Sequence, residues 1–173
     1  MTEKSRQSEG NSTRPSGMDV SADEIAGVVD LFGGLTRSEL GRGLAELAFK
    51  QGEECVPEAF DEEIDAALST YHLVAVDLEE PSDSLLVVGP VAFPELPPGA
   101  TDLPHILDVD ERAVDRETAA TATQRRFERE AATAIDTEDQ AKMAALLDAS
   151  YELEAWGALD LSQARARLDD AIE

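Results

Sequence analysis

Residues 20–40 read VSADEIAGVVDLFGGLTRSEL, and this stretch contains the same helix-start signal twice. In each copy a hydroxyl residue is followed three positions later by glutamate, first Ser21 and Glu24, then Thr36 and Glu39. Such a pair forms a capping box, in which each side chain bonds the backbone N–H of the other residue. Two consecutive glycines can end the first helix. The stretch therefore predicts two successive helices, at about residues 21–33 and 36–51.

The spacing of apolar residues then changes from helical to strand-like. A third helix is predicted at residues 57–70, because a proline stands at its start and an apolar stripe follows along one side. Two short runs rich in β-branched residues predict strands at 72–77 and 84–89. The polar residues 79–83 between them predict a turn, so the two strands would form a β-hairpin.

Three helices followed by a hairpin is the element order of a winged helix-turn-helix domain, and the resemblance covers residues 20–92. Residues 1–19 are polar and predict a disordered tail. Residues 93–109 form a proline-rich connection, either a linker or a packed extended segment. Residues 110–173 are alanine-rich and predict a helical unit. The fold class expected is α+β, mostly α, with a winged-helix-like N-terminal unit and a helical C-terminal unit.

Within the C-terminal unit, the spacing predicts one helix from about residue 110 to residue 134. A second helix is expected to start at Thr137, with Gln140 completing a third capping box. A last short helix is expected to start near Ser162.

The chain is strongly acidic, with 38 aspartate and glutamate residues, 14 lysine and arginine residues and a formal net charge of −24. Acidic disordered chains are poor in apolar residues, but 42% of these residues are hydrophobic, which indicates a folded protein. An acidic surface repels itself in dilute salt, and this repulsion largely disappears when the Debye length falls to about 3 Å in molar salt. The composition therefore predicts a halophilic protein.

Compartment is predicted from three simpler observations. Cys55 is the single cysteine, so no disulfide within the chain is possible. The polar N-terminus does not resemble a signal peptide, and no apolar run reaches the roughly 18 residues of a membrane span. We therefore expect a cytoplasmic protein with no membrane role.

The winged-helix order suggests DNA binding through the third helix, yet residues 57–70 contain five acidic side chains and no lysine or arginine. Since DNA affinity depends largely on neutralising phosphates, nucleic acid is a possible partner that this helix disfavours. The densest basic feature lies further along the chain and is the candidate interaction site: Arg116, Arg125, Arg126 and Arg129. Its two interpretations are a solvated helix face with local ion pairs, or a docking site for the acidic N-terminal unit or a nucleic acid.

No catalytic or metal-binding constellation is recognised in the sequence. Cys55 follows two glutamates, which disfavour a reactive thiolate. His105 has several aspartates nearby, but their spacing matches no standard metal site, and no phosphate-binding glycine motif is present. We expect no catalytic residues, no metal ligands and no cofactor.

Two segments resemble a family of small haloarchaeal proteins of unknown function. The first is LFGGLTRSEL at residues 31–40, followed by LAELAFK at residues 44–50, and the second is PHILDVD at residues 104–110. The resemblance implies a haloarchaeal source and a cytoplasmic compartment, and it implies no activity and no functional residue.

Three functions remain open at this point. The first is a non-enzymatic protein-interaction or regulatory module, with a protein partner or self-association through the helical unit. The second is a DNA-associated winged-helix transcriptional regulator that uses the four arginines, which would then lie on one exposed face with few carboxylates between them. The third is an enzyme of unrecognised type, which would need a concave pocket with converging polar groups from both halves of the chain.

Overall fold

A computed structural model describes residues 19–77, 84–157 and 159–172. The predicted turn at 79–83 lies outside these residues, as does the predicted tail apart from its last residue. The elements, in chain order, are α1 (Ala22–Phe32), β1 (Leu35–Thr36), α2 (Arg37–Lys50), a 3-10 turn (Pro57–Phe60), α3 (Asp61–Ser69), β2 (Leu73–Asp77), β3 (Ser84–Val88), a 3-10 turn (Ala100–Asp102), α4 (Leu103–Leu107), α5 (Arg116–Asp136), α6 (Gln140–Trp156) and α7 (Ser162–Ala171).

Both predicted capping boxes of the N-terminal helices are confirmed. The Glu24 N–H donates to Ser21 Oγ over 3.1 Å, and the Ser21 N–H donates to Glu24 Oε1 over 3.0 Å. The Thr36 and Glu39 pair repeats this at 3.2 and 2.9 Å. Gly33 ends α1 with a φ of 78°, a left-handed conformation that glycine adopts without steric cost.

The strands form an antiparallel sheet in the order β1-β3-β2. β2 and β3 pair in the predicted region, with Leu73 opposite Val88 and Asp77 opposite Ser84. β1 adds a pair of residues that the sequence did not indicate, placing Leu35 opposite Leu86. Together with the helices, this sheet confirms the α+β, mostly α fold class.

The sheet lies between two groups of helices. Leu73 and Leu86 belong to the core that α1, α2 and α3 form on one side. Val74 and Val76 belong to a smaller cluster that contains Ala119 of α5 on the other side. Because neighbouring residues of a strand point to opposite faces, the apolar run of β2 serves both layers.

The proline-rich connection is packed and partly helical. Ala100, Leu103 and Leu107 are buried in the core that contains α1 and α2. Of the two alternatives, the packed one agrees with these positions, although residues 100–107 form helical turns and no extended segment.

The C-terminal helices depart from the predicted boundaries. α5 begins at Arg116, later than expected, and the predicted capping box of Thr137 and Gln140 is wrong. Thr137 follows the end of α5, where its hydroxyl donates to the Thr133 carbonyl over 2.9 Å. Asp139 caps α6 instead, because its Oδ1 accepts the Lys142 N–H over 3.1 Å.

Arg112 connects the segment before α5 to the turn between α1 and α2 through hydrogen bonds and an ion pair. Its guanidinium donates to Glu39 Oε1 over 2.7 Å and to Glu39 Oε2 over 3.0 Å. It also donates to the Gly34 carbonyl over 3.0 Å, and the Arg112 N–H donates to the Phe32 carbonyl over 2.7 Å. A bidentate arginine–carboxylate pair of this kind fixes the relative orientation of the two side chains as well as adding attraction.

Candidate functional site

The four candidate arginines all lie on α5, but the structure divides them into three environments. Arg125 and Arg129 are exposed. Arg126 has only 14% of its side chain accessible. Arg116 is exposed at the start of the helix and its Nη1 donates to the Trp156 carbonyl over 2.7 Å. They therefore do not form a single exposed basic face.

Arg126 is a structural contact between the two parts of the chain. Its Nε donates to Glu130 Oε2 over 2.8 Å, and its Nη1 donates to the Leu73 carbonyl over 3.3 Å. Its Nη2 donates to the Leu68 carbonyl near the end of α3. A cation near the C-terminus of a helix stabilises the carbonyls that have no partner within the helix. With its three guanidinium nitrogens already donating to these acceptors, Arg126 has little capacity left for a ligand.

Tyr71 completes this contact from the corner between α3 and β2. Its ring lies 3.8 Å from the Arg126 guanidinium carbon, and its hydroxyl donates to Glu130 Oε1 over 2.9 Å. Burial, followed by the negative charge of Glu130, raises the pKa of the Tyr71 hydroxyl well above its ordinary value. The hydroxyl therefore stays protonated and remains a donor.

A cleft of about 550 Å³ opens between α3, β2 and α5. We call it the α5 cleft. Arg125 and Arg129 line its α5 side, and Asp65 and Asp77 line the opposite side. Its apolar lining consists of Leu68, Ala75, Val76 and Ala122.

The exposed face of α3 is acidic, and two of its carboxylates already pair with an arginine side chain. Arg37 of α2 lies 3.4 Å from Asp61 and also bonds Asp65. Glu58 and Glu62 are exposed beside them. α3 contains no lysine or arginine of its own, so its surface cannot neutralise a phosphate backbone.

A second surface feature lies near the end of α2, and sequence reasoning missed it. Phe49 and Val56 are each 62% exposed and line the same hollow of about 490 Å³. We call it the apolar hollow, and its lining is Ala45, Glu46, Phe49, Glu54, Cys55 and Val56. The sequence did carry a signal for this exposed aromatic residue, because Phe49 falls outside the stripe of leucines that α2 buries.

A family model described as a family of unknown function, DUF7109, matches residues 23–173. The chain belongs to DUF7109. The expected relationship to a family of unknown function is therefore confirmed, while its haloarchaeal distribution stays a prediction. No curated protein matches the chain, and no solved structure matches it.

Two further findings on this DUF7109 chain concern metal binding and membrane-spanning helices. Among the described residues, no group of three or more His, Cys, Asp and Glu side chains is arranged to hold a metal ion. None of the described helices combines the length and the apolar character needed to cross a membrane.

Proposed function

We propose that this chain is a non-enzymatic protein-interaction module, and that the apolar hollow binds an apolar side chain of a basic partner segment. The exposed pair Phe49 and Val56 carries the proposal. Single apolar residues are common on protein surfaces, but two large ones lining one concave site are typical of a docking surface. An aromatic side chain in such a position is a frequent source of binding energy.

Charge defines the partner more closely. Glu46 and Glu54 line the apolar hollow, so a lysine or arginine flanking the inserted side chain would face a carboxylate. Complementary charge of this kind favours encounter with basic segments and disfavours acidic ones. It also disfavours a second copy of this chain, whose formal net charge is −24.

A winged-helix-like N-terminal unit is part of the same proposal. The element order α1-β1-α2-α3-β2-β3 and the strand order β1-β3-β2 support it. In such a unit α3 would be the recognition helix, and its acidic face, occupied by Arg37, favours protein contacts over DNA. The burial of Arg126 and the position of Arg116 count against the DNA-associated alternative.

The acidic surface supports the rest of the proposal, a cytosolic protein adapted to high salt. At molar KCl the charges are screened within a few ångströms, and the apolar contact would then supply most of the affinity.

Photo-crosslinking tests the proposal at the site itself. A photoreactive amino acid is placed at position 49 in one preparation and at position 93 in a control, since Phe93 is 78% exposed and does not line the apolar hollow. Each protein is irradiated in nuclease-treated cell lysate at molar KCl. Position 49 should give a crosslinked protein peptide that is rich in apolar and basic residues, and position 93 should not.

Competition separates specific from adventitious capture. Unlabelled wild-type protein and F93D should both suppress the crosslink, whereas F49D should not. Equal crosslinking at both positions, or competition by F49D, would contradict the proposal. A crosslink to a second copy of this chain would replace it with self-association. A crosslink that forms in untreated lysate but not in the nuclease-treated lysate would replace it with nucleic acid binding.

A further inference from the structure

The unpaired arginines of the α5 cleft are unusual for so acidic a chain. Most described cations lie within 4.0 Å of a carboxylate: Arg37, Lys50, Arg112, Arg126, Lys142 and Arg165. Arg42 and Arg116 donate to backbone carbonyls. Arg125, Arg129 and, on α7, Arg167 have neither kind of partner among the described residues, although carboxylates outnumber cations in the sequence by 38 to 14. Of these three, Arg125 and Arg129 line the same cleft.

These two arginines are neighbours in space. They stand four positions apart on α5, so their side chains leave the same face of the helix, about 5–6 Å apart at Cβ. Both line the α5 cleft, and both are exposed. A guanidinium presents a planar set of donors that matches the oxygens of phosphate, so two of them can grip one phosphate group.

The fold already neutralises most of the other charges in the cleft. Glu130 accepts from Arg126 and from Tyr71, and Asp65 accepts from Arg37. Asp77 on the far wall accepts the Ser84 hydroxyl over 2.8 Å and has no described cation within 4.0 Å. An anionic group is therefore attracted to the α5 side and repelled from the β2 side.

We propose that the α5 cleft binds a small phosphate monoester, with the phosphate on Arg125 and Arg129. The molecule's body would lie against the apolar lining, whose members Leu68 and Val76 come from α3 and β2. Asp77 would accept a hydrogen bond from a hydroxyl or amino group on that body. The volume of about 550 Å³ lies within the range of about 300–1,000 Å³ common for small-molecule sites.

The α7 helix supplies a matched control. Arg167 is exposed, like Arg125 and Arg129, and also has no carboxylate or carbonyl partner among the described residues, but it does not line the α5 cleft. Replacing it removes the same charge from the protein without touching the proposed site.

The experiment measures binding of adenosine monophosphate, ribose 5-phosphate and inorganic phosphate to the full chain by isothermal titration calorimetry. The salt concentration is one at which circular dichroism confirms a folded protein. At least one monoester should bind in a saturable way and more tightly than inorganic phosphate. R125Q and R129Q should each weaken it about tenfold or more, since each removes a charge-assisted contact. R167Q should bind like the wild type.

Three results would overturn the proposal. The first is the absence of saturable monoester binding by the wild type at millimolar ligand. The second is an equal loss of binding in R125Q and R167Q, which would indicate a general charge effect. The third is binding of a single-stranded oligonucleotide but of no monoester, which would assign the arginines to a nucleic acid backbone.

Discussion

The Arg126 guanidinium carbon lies 3.8 Å from the centre of the Tyr71 ring, and this stack joins α5 to the corner between α3 and β2. Glu130 accepts from both residues, so the three side chains form one closed network. Tyr71 is packed in the core of α5, α6 and α7 although it precedes β2 in the chain. The network therefore couples the C-terminal helices to the sheet.

The first prediction concerns this network. R126A should lower the free energy of unfolding by about 3 kcal/mol, because it removes a mostly buried cation together with its hydrogen bonds to Glu130 and to two backbone carbonyls. Y71F should cost about 1–2 kcal/mol, since it removes the hydroxyl donor and keeps the ring. Urea denaturation, followed by circular dichroism, measures both.

R125A is the control for the Arg126 prediction. Arg125 is an exposed neighbour without a described partner, and its replacement should change stability by less than about 0.5 kcal/mol. A similar loss for R125A and R126A would mean that the stack contributes nothing beyond the general charge of α5.

The second prediction concerns the close approach of α1 and the proline-rich connection. A Cβ atom added at Gly27 would lie 1.9 Å from the Glu95 carbonyl oxygen, and the Glu95 N–H donates to the Asp23 carbonyl over 3.0 Å. Gly27→Ala should therefore destabilise the protein by about 3 kcal/mol, because backbone must move apart. Thermal unfolding of the two proteins checks it.

Gly157→Ala is the matched substitution for Gly27. Its added Cβ would meet only the Ala120 Cβ, at 3.4 Å, an ordinary contact. We expect a change below about 1 kcal/mol. If the two alanine variants were equally stable, the connection would not be packed on α1 as described.

The sequence was informative where structure depends on neighbouring residues. The two N-terminal capping boxes and the strands of the hairpin were found because their signals are local. β1 was missed because two residues carry no period, and its partner Leu86 is some fifty positions away. The capping box predicted at Thr137 is wrong, because the Thr137 hydroxyl donates back to the Thr133 carbonyl at the end of α5.

The candidate site follows the same division. Sequence placed the arginines on one helix, which is confirmed, and the helix spacing sets Arg125 and Arg129 on one face. It could not separate Arg126 from them, because the acceptors at Leu68 and Leu73 become neighbours only when α5 packs on the sheet. The apolar hollow likewise needs the turn after α2 to bring Val56 beside Phe49.

The third prediction is a pH dependence from Glu39. The hydrogen bond from Arg112 lowers the pKa of the Glu39 carboxyl below its ordinary value of 4.5. A carboxyl whose pKa is lowered by folding contributes stability above 4.5 and loses it as the pH falls through the folded-state pKa. E39Q keeps an acceptor for the capping box but removes the ion pair. Wild type should exceed E39Q by about 1 kcal/mol at neutral pH, and urea denaturation should find the gap closing under acid conditions.

E154Q provides a comparison for Glu39. Glu154 also bonds an arginine, Arg165, and its pKa is also lowered, chiefly by the Leu161 N–H. Its gap to the wild type should close in the same pH direction. A gap for E39Q that stays constant from neutral to acid pH would contradict the role assigned to Arg112.

The last prediction tests the acidic surface. With a net charge of −24, dilution from molar to millimolar KCl should lower the thermal unfolding temperature markedly, because repulsion between carboxylates is no longer screened. Replacing Asp169 and Asp170, both exposed on α7, by asparagine removes two negative charges and should reduce this dependence. Sucrose at equal osmolality separates the causes, since it stabilises compact states without screening charge. Unchanged unfolding temperatures across the salt series, or equal protection by sucrose and KCl in dilute buffer, would mean that charge repulsion does not limit the stability of this fold.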